Sequence, residues 1–180
     1  MVLTVDTSKL KQAGLEALIK NTTDDVLLTD IYNGIDEFRY HKMVVRNQSA
    51  GSELIRKIYE KYSKDKEMVR AIFENSKTPE DVIIDILENY HENFGQEYGY
   101  ISNDILYNEC IGEKVIKLIY DMYNADEIGM DRSTFNDMIE DERTGVDVLQ
   151  DLLESEPDDE MLCIIARHPK MKIVPAEDIK

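Results

Sequence analysis

Apolar side chains recur along this chain with the spacing of helices. Three groups of aliphatic residues share one internal spacing, in which the second and third members follow the first by one and four positions. These groups are Leu54-Ile55-Ile58, Val82-Ile83-Ile86 and Val115-Ile116-Ile119. Steps of three and four residues place side chains on one face of a helix. The pattern therefore predicts a series of amphipathic helices, each with one buried face.

Each of these predicted helices follows an asparagine at a fixed distance. Asn47, Asn75 and Asn108 each precede a tyrosine by fifteen positions, and an apolar pair stands just before each asparagine. A further unit keeps this register with Asp141 in the same place, and an earlier one is built around Asn21. Self-similarity at a period of roughly 20 to 50 residues is typical of repeat architectures. The sequence therefore predicts an all-α chain of about five to six helix-turn-helix repeats.

The turns inside the predicted repeats contain helix-capping residues. Thr78-Pro79-Glu80-Asp81 places threonine at an N-cap and proline at the first helical position, and Thr144-Gly145-Val146-Asp147 repeats the threonine cap. Asparagine suits the left-handed conformation that commonly ends a helix. We therefore interpret Asn47 and Asn75 as structural residues that stop the preceding helix.

One repeat of this kind cannot bury its apolar face alone, so we expect residues 1–180 to form a single α-helical domain. Two glycine-containing stretches, near 91–100 and 125–132, interrupt the repeats. Insertions in solenoid proteins often lie on the face that binds a partner. The two inserted loops are therefore candidates for a specific contact.

The segment Met68–Val82 reads MVRAIFENSKTPEDV. It resembles the signature of the variant leucine-rich repeats, which form paired-helix, HEAT-like arrays. Ala166-Arg167-His168-Pro169 and Pro175-Ala176-Glu177-Asp178-Ile179 echo this signature. The resemblance covers about 30 residues. It implies a right-handed α-solenoid, and it carries over no catalytic or ligand-binding residue.

The charge of the chain narrows the classes of partner. The net charge is −17, and the excess lies in residues 71–166, which contain 25 Asp or Glu against five Lys or Arg. Such a field repels nucleic acid and anionic membranes and favours a partner with a basic surface. The alternative interpretation, which the sequence leaves open, is that the acidic region is only a solvated face that keeps the protein soluble. No apolar run approaches the roughly 18 residues that cross a bilayer. Two cysteines without a disulfide framework fit the cytoplasm.

The sequence lacks the residue patterns of known catalytic and cofactor sites. His41, His91 and His168 have no partner at metal-ligand spacing, and no phosphate-binding loop, nucleophile elbow or dinucleotide fingerprint occurs. We therefore expect no catalytic, cofactor-binding or metal-binding residue and no enzymatic activity. The alternative that the sequence leaves open is a loose divalent-cation site, or a hydrolase or metal-dependent enzyme, at the acidic cluster formed by Glu140-Asp141-Glu142 together with Asp158-Asp159-Glu160.

Tyrosines recur late in each predicted second helix, as Tyr62, Tyr90 and Tyr123. One interpretation is an aromatic ladder that lines a binding groove, where tyrosine combines contact area with a polar tip. Repeated packing at a helix end explains the same pattern from repeat position alone. We interpret the three tyrosines as packing residues.

The leading hypothesis is a non-catalytic helical-repeat protein that mediates protein–protein interaction as a scaffold or adaptor. The alternative is an acidic, nucleic-acid-mimicking inhibitor of a basic nucleic-acid-binding protein, of phage origin; neither role involves direct binding of nucleic acid. The candidate partner-binding residues lie in the inserted loops and acidic clusters: Phe94, Tyr98, Tyr100, Asp126, Glu127, Glu140, Asp141, Glu142, Asp158, Asp159 and Glu160. The sequence leaves open whether the chain forms a homo-oligomer.

Overall fold

The computed structural model describes residues 12–89 and 103–171, and every regular element in this part of the chain is a helix. The elements are α1 (Gln12–Asn21), α2 (Asp25–Gly34), α3 (Phe38–Arg46), α4 (Ser52–Tyr62), α5 (Lys66–Phe73), α6 (Glu80–Glu88), the 3₁₀-helix η1 (Asn103–Tyr107), α7 (Glu113–Asn124), α8 (Arg132–Glu140), α9 (Val146–Glu154) and α10 (Asp159–Arg167). The predicted all-α class is confirmed. None of these helices is long and apolar enough to span a lipid bilayer.

The chain divides into two compact units. Unit 1 comprises residues 1–94 and 108–110, and unit 2 comprises residues 95–107 and 111–180. In unit 1, α3 packs against α1 and α5, while α2 and α4 also contact α3. In unit 2, α8 packs against η1 and α10. That residues 1–180 fold as a single domain stays a prediction.

The aliphatic groups that define the sequence pattern form the core of each unit. In unit 1, the side chains of Leu54-Ile55-Ile58 and Val82-Ile83-Ile86 are at most 4% exposed. In unit 2, Val115, Ile116 and Ile119 are fully buried. Burying one such side chain contributes roughly 1.5–3 kcal/mol. The prediction that these helices each bury one face is confirmed.

In unit 1 the recurring asparagines hold the turn that follows them. Each side-chain oxygen accepts a hydrogen bond from the backbone N–H two residues later, at 2.7–2.8 Å. The pairs are Asn47 with Ser49, Asn75 with Lys77, and Asn108 with Cys110. This local bond fixes the direction in which the chain leaves the preceding helical segment.

The side-chain nitrogen of each asparagine reaches back to the preceding turn. Asn75 Nδ2 donates to the carbonyl oxygen of Val45 at 2.5 Å and to that of Asn47 at 3.3 Å. The equivalent acceptors are the carbonyls of Ile19 and Thr22 for Asn47, and those of Asn75 and Thr78 for Asn108. We call Asn47, Asn75 and Asn108 the asparagine ladder. It satisfies carbonyls at and beyond helix ends, where intrahelical partners run out.

Unit 2 makes the same connection with different side chains. Asp141 accepts from the backbone N–H of Arg143 at 2.9 Å, but a carboxylate cannot donate. Arg143 Nη2 donates instead to the carbonyl of Leu106 at 2.5 Å and to the Asp141 carboxylate at 2.6 Å. Burial would raise the pKa of Asp141, but the hydrogen bonds from Arg143 outweigh it and hold the pKa below its ordinary value.

His168 occupies the next equivalent position in unit 2. Its Nδ1 accepts from the backbone N–H of Lys170 at 3.2 Å, so Nε2 is the nitrogen that donates. Nε2 lies 2.9 Å from the carbonyl oxygen of Asp141. Amide, arginine and imidazole side chains thus supply the same backward hydrogen bond at successive turns.

The predicted left-handed conformation of Asn47 is wrong. Asn47 directly follows α3, as a helix-stop residue should, but its φ of −80° and ψ of 117° are extended. A left-handed residue ends a helix through its own backbone. Asn47 ends α3 through its side chain, which bonds both the following N–H and the preceding turn.

The predicted threonine caps are also wrong. The residue that caps α6 is Pro79 and the one that caps α9 is Gly145, and neither provides a side-chain hydrogen bond. Thr78 and Thr144 are fully buried, and their hydroxyls donate to the carbonyls of Ile72 and Met138 at 2.5 Å. Each hydroxyl therefore bonds a carbonyl in the last turn of the helix behind it, where intrahelical N–H partners run out.

Replacing Asn75 with alanine should lower the free energy of unfolding by about 2 kcal/mol, because two carbonyls and one N–H each lose a hydrogen bond in a site that is 1% exposed. Asn89→Ala is the matched control, since Asn89 also donates to a backbone carbonyl but is exposed. Its loss should stay within about 0.5 kcal/mol. Urea unfolding followed by circular dichroism measures both. Similar losses in the two variants would show that the asparagine ladder contributes little stability.

Arg143→Ala should destabilise the protein by about 2 kcal/mol, because the carboxylate of Asp141, which is 15% exposed, loses its cation. Adding Asp141→Asn should recover part of this loss, since asparagine both accepts and donates as the ladder residues do. The measurement is a double-mutant cycle by urea unfolding. Additive losses in the double variant would contradict an equivalence between the Asp141–Arg143 pair and the ladder.

Candidate partner-binding cleft

The predicted loop residues fall into two groups. Phe94, Tyr98 and Tyr100 lie outside the described residues. Asp126 and Glu127 lie in the turn between α7 and α8, and both are exposed. The backbone of Asp126 has a φ of 57°, a left-handed conformation that non-glycine residues rarely adopt.

The acidic triplet predicted near the end of α8 is not uniform. Glu140 and Glu142 are exposed, whereas Asp141 between them directs its carboxylate to Arg143. Within residues 12–89 and 103–171, no three His, Cys, Asp or Glu side chains come together as metal ligands would. The triplet therefore presents two solvent-facing carboxylates and one that serves the turn.

The second acidic cluster is organised by an arginine that the sequence interpretation did not include. Arg132 Nη2 lies 2.6 Å from Asp158 Oδ2 and 2.9 Å from Glu160 Oε2. Asp158 also begins α10, where its other oxygen accepts from the backbone N–H of Met161 at 2.9 Å. The hydrogen bond from Arg132 holds the pKa of Asp158 below its ordinary value. Asp159, in the same helical turn, is exposed.

A cleft of about 300 Å³ in unit 2 adjoins this ion pair. Residues from the end of α7, the first half of α8, the end of α9 and the start of α10 line it. They are Tyr123, Arg132, Phe135, Asn136, Leu152, Ser155, Pro157, Asp158 and Met161. The ring centroids of Tyr123 and Phe135 are 4.9 Å apart, so the two rings form one aromatic surface. We call this site the unit 2 cleft.

Asn136 gives the unit 2 cleft an unused hydrogen-bond acceptor. Its Oδ1 is buried and has no hydrogen-bond partner, and among the described residues no other buried side-chain nitrogen or oxygen is in this state. Leaving a buried acceptor without a hydrogen bond costs about 1–3 kcal/mol, so native proteins rarely contain one without a reason. A donor from a bound molecule would remove that cost.

The rim of the unit 2 cleft is acidic and locally strained. Residues 151–160, which span the end of α9, the connection and the start of α10, contain six acidic side chains and no basic one. Glu156 in this connection has a φ of 56°. Unfavourable backbone conformations of non-glycine residues cluster at functional sites. The rim therefore favours a cationic ligand over an anionic one.

Sequence reasoning located the acidic rim of the unit 2 cleft but not its floor. Asp158 was a candidate, whereas Arg132, Phe135 and Asn136 were not. The available signal was their position, since all three follow the inserted loop 125–132 directly or overlap its end. Tyr123 was interpreted as a packing residue, and in the structure it both packs on Phe135 and lines the cleft.

Unit 1 contains a second polar constellation around His41, which is 1% exposed. Its Nε2 donates to the carbonyl of Ile35 at 2.7 Å, and the Tyr62 hydroxyl, 2.7 Å from Nδ1, then donates to the ring. Burial lowers the pKa of His41, so the imidazole is neutral at pH 7. Every polar atom of this ring has a partner inside the protein, which favours a structural role.

Two tyrosine–aspartate pairs have the same character. Tyr59 donates to Asp85 in unit 1, and Tyr120 donates to Asp151 at 2.5 Å in unit 2. Burial and the hydrogen bond to Asp151 raise the pKa of Tyr120 to about 12. Burial and the hydrogen bond to Asp85 likewise raise the pKa of Tyr59. Both phenols are therefore neutral donors that link neighbouring helices.

Folding stability should fall as the pH is lowered from about 7.5 to 5.5, because the folded-state pKa of His41 lies below its unfolded value of about 6.5. The contribution is fully present above the unfolded value and is lost as pH falls towards the folded one. Urea unfolding at the two pH values measures it. In His41→Asn, which cannot titrate there, the difference between the two pH values should shrink. An unchanged difference would assign the pH dependence to other groups.

No protein-family model matches the chain, and no curated protein or solved structure shows significant similarity to it. The chemistry of the described residues is therefore the basis for the function proposed below.

Proposed function

We propose that this protein is a non-catalytic helical protein that binds another protein, as a scaffold or adaptor, through the unit 2 cleft. The observation that carries the proposal is the buried, unpartnered Oδ1 of Asn136 beside an aromatic surface and an acidic rim. The other recurring polar side chains, in the asparagine ladder and in the tyrosine–aspartate pairs, already have partners inside their own unit. Those side chains use their hydrogen bonds inside the protein, whereas the Oδ1 atom of Asn136 has no hydrogen bond.

The architecture that we propose for this role is a right-handed α-solenoid of five to six helix-turn-helix repeats. Support comes from the side chains of Asn47, Asn75, Asn108, Asp141 and His168, which each accept from the N–H two residues later. A turn that recurs with one hydrogen-bond pattern is expected of stacked repeats, in which each unit contacts its neighbours.

The proposed partner has a basic surface. Residues 111–171 contain 16 Asp or Glu side chains against six Lys or Arg. Arg132, Arg143, Lys117 and Lys170 each pair with an acid of this range, and the range still keeps an excess of ten acidic side chains. A field of this sign accelerates encounter with cationic proteins and disfavours anionic ones. The cytoplasm is the proposed location, consistent with Cys110 and Cys163 being free thiols.

The same charge favours a second candidate function, an acidic mimic of nucleic acid that occupies a basic nucleic-acid-binding protein. The two candidates differ in what holds the partner. A mimic would bind through many screened charges, so its affinity would fall steeply with salt and DNA would compete for the same partner. Binding through the unit 2 cleft adds apolar contact that salt does not weaken.

The test is affinity capture from a lysate with the whole chain as bait, at about 50 mM and 300 mM salt, with added nuclease. Captured proteins are then purified and their binding is measured directly. We expect a basic protein whose binding survives the higher salt and is not competed by DNA. Loss of binding at high salt together with competition by DNA would support the mimic. A measured enzymatic turnover without any direct protein binding would overturn both.

A further inference from the structure

We propose that the unit 2 cleft binds a single arginine side chain presented by an exposed segment of the partner protein. This inference rests on the proposed function and names the ligand chemistry of its site. Three properties of the cleft carry it, namely the aromatic floor, the acceptor of Asn136 and the acidic rim.

The floor of the cleft suits a planar cation. The rings of Tyr123 and Phe135 lie 4.9 Å apart, and Leu152 and Met161 extend the apolar lining around them. A guanidinium stacks on aromatic rings and is more weakly hydrated than an ammonium, while its methylene stem packs on apolar side chains. A volume of about 300 Å³ is at the lower end of ligand sites, which fits one long side chain rather than a whole helix.

The polar groups of the cleft complement a ligand that only donates. Arginine has five N–H donors and no acceptor. Asn136 offers an acceptor without a partner, and the carboxylate of Asp158 is fixed at the rim because it also caps α10. The terminal torsion of an asparagine is broad, so its amide can turn the oxygen towards an entering guanidinium. Arg132, which also lines the cleft, pairs with Oδ2 of Asp158 and so helps to position the carboxylate.

Other ligand chemistries fit less well. A carboxylate would meet the carboxylate of Asp158, and the one arginine of the cleft already pairs with Asp158 and Glu160. An apolar side chain would leave Asn136 Oδ1 buried without a donor. Lysine carries the right charge, but its compact ammonium lacks a plane that can stack on Tyr123 and Phe135.

The experiment titrates the ¹⁵N-labelled full chain with the capped peptide Ac-Gly-Arg-Gly-NH2 and follows amide chemical shifts by NMR. Saturable shifts should centre on the side-chain amide of Asn136 and on the backbone amides of Tyr123 and Phe135. A Kd on the order of 1 mM is expected for so small a ligand. The matched control peptide contains citrulline, which keeps the shape but loses the charge, and should bind at least about tenfold more weakly.

Three variants separate binding from folding. Asn136→Leu removes the acceptor without leaving a buried polar group, so stability should be kept or raised while peptide affinity falls by about tenfold. Phe135→Leu keeps an apolar floor but loses the stacking surface. Asp158→Asn keeps the helix cap, because asparagine caps as well as aspartate, and loses the charge at the rim. Asp147→Asn is the control, since it removes one exposed charge from the first turn of α9 outside the cleft.

The proposal is overturned if no shift saturates, if the citrulline peptide produces the same shifts, or if Asn136→Leu binds the arginine peptide like the wild type. Capture of a partner from a lysate tests the proposed function separately from the arginine proposal. A captured partner that binds the three cleft variants as tightly as the wild type would leave the protein-binding function standing and place its contact outside the cleft. Cleft shifts that depend on protein concentration without peptide would identify a second copy of this chain as the occupant and overturn the arginine proposal.

Discussion

The interaction on which both units depend is the hydrogen bond that a turn side chain sends back to the preceding turn. Short helices leave free carbonyls at their ends, and in a packed interior no water reaches them. Asn75 resolves this with one amide, which donates to two carbonyls and accepts one N–H while being 1% exposed. Helices α1 and α3, which are ten and nine residues long, can therefore end in unit 1 with the carbonyls of Ile19 and Val45 paired.

This arrangement explains why the recurring polar residues have no donor or acceptor left for a ligand. A residue that repeats at one register is placed there by the turn, and its donors and acceptors are used by the neighbouring turn. Asn136 stands outside that register, and its oxygen is buried without a partner. Chemistry directed at another molecule is therefore better sought where the repeating pattern breaks than where it is strongest.

The sequence predicts features that depend on residues close together in the chain, and it does not predict features that depend on distant residues. The aliphatic groups, such as Val82-Ile83-Ile86, were predictable because helical spacing is local and one face must be buried. Asn47 was correctly predicted to follow a helix, but its conformation was not, since its hydrogen bonds go to Ile19 and Thr22 in the preceding turn. The unit 2 cleft was not predictable for the same reason. Its walls come from four helices, and only packing brings Phe135 to Tyr123.

In unit 2 a charged pair, Asp141 and Arg143, stands at the turn where unit 1 has an uncharged asparagine. An asparagine connects two turns without charge, whereas Asp141 needs Arg143 as its donor, and the pair is largely buried. Desolvating such a pair roughly cancels its attraction, so the replacement is not explained by stability. Its consequence is that Arg143 is used in a largely buried contact, whereas Arg132 pairs with Asp158 and Glu160 at the surface. Acidic side chains outnumber basic ones by 16 to six in residues 111–171, so unit 2 keeps an acidic excess that produces a negative field around the unit 2 cleft.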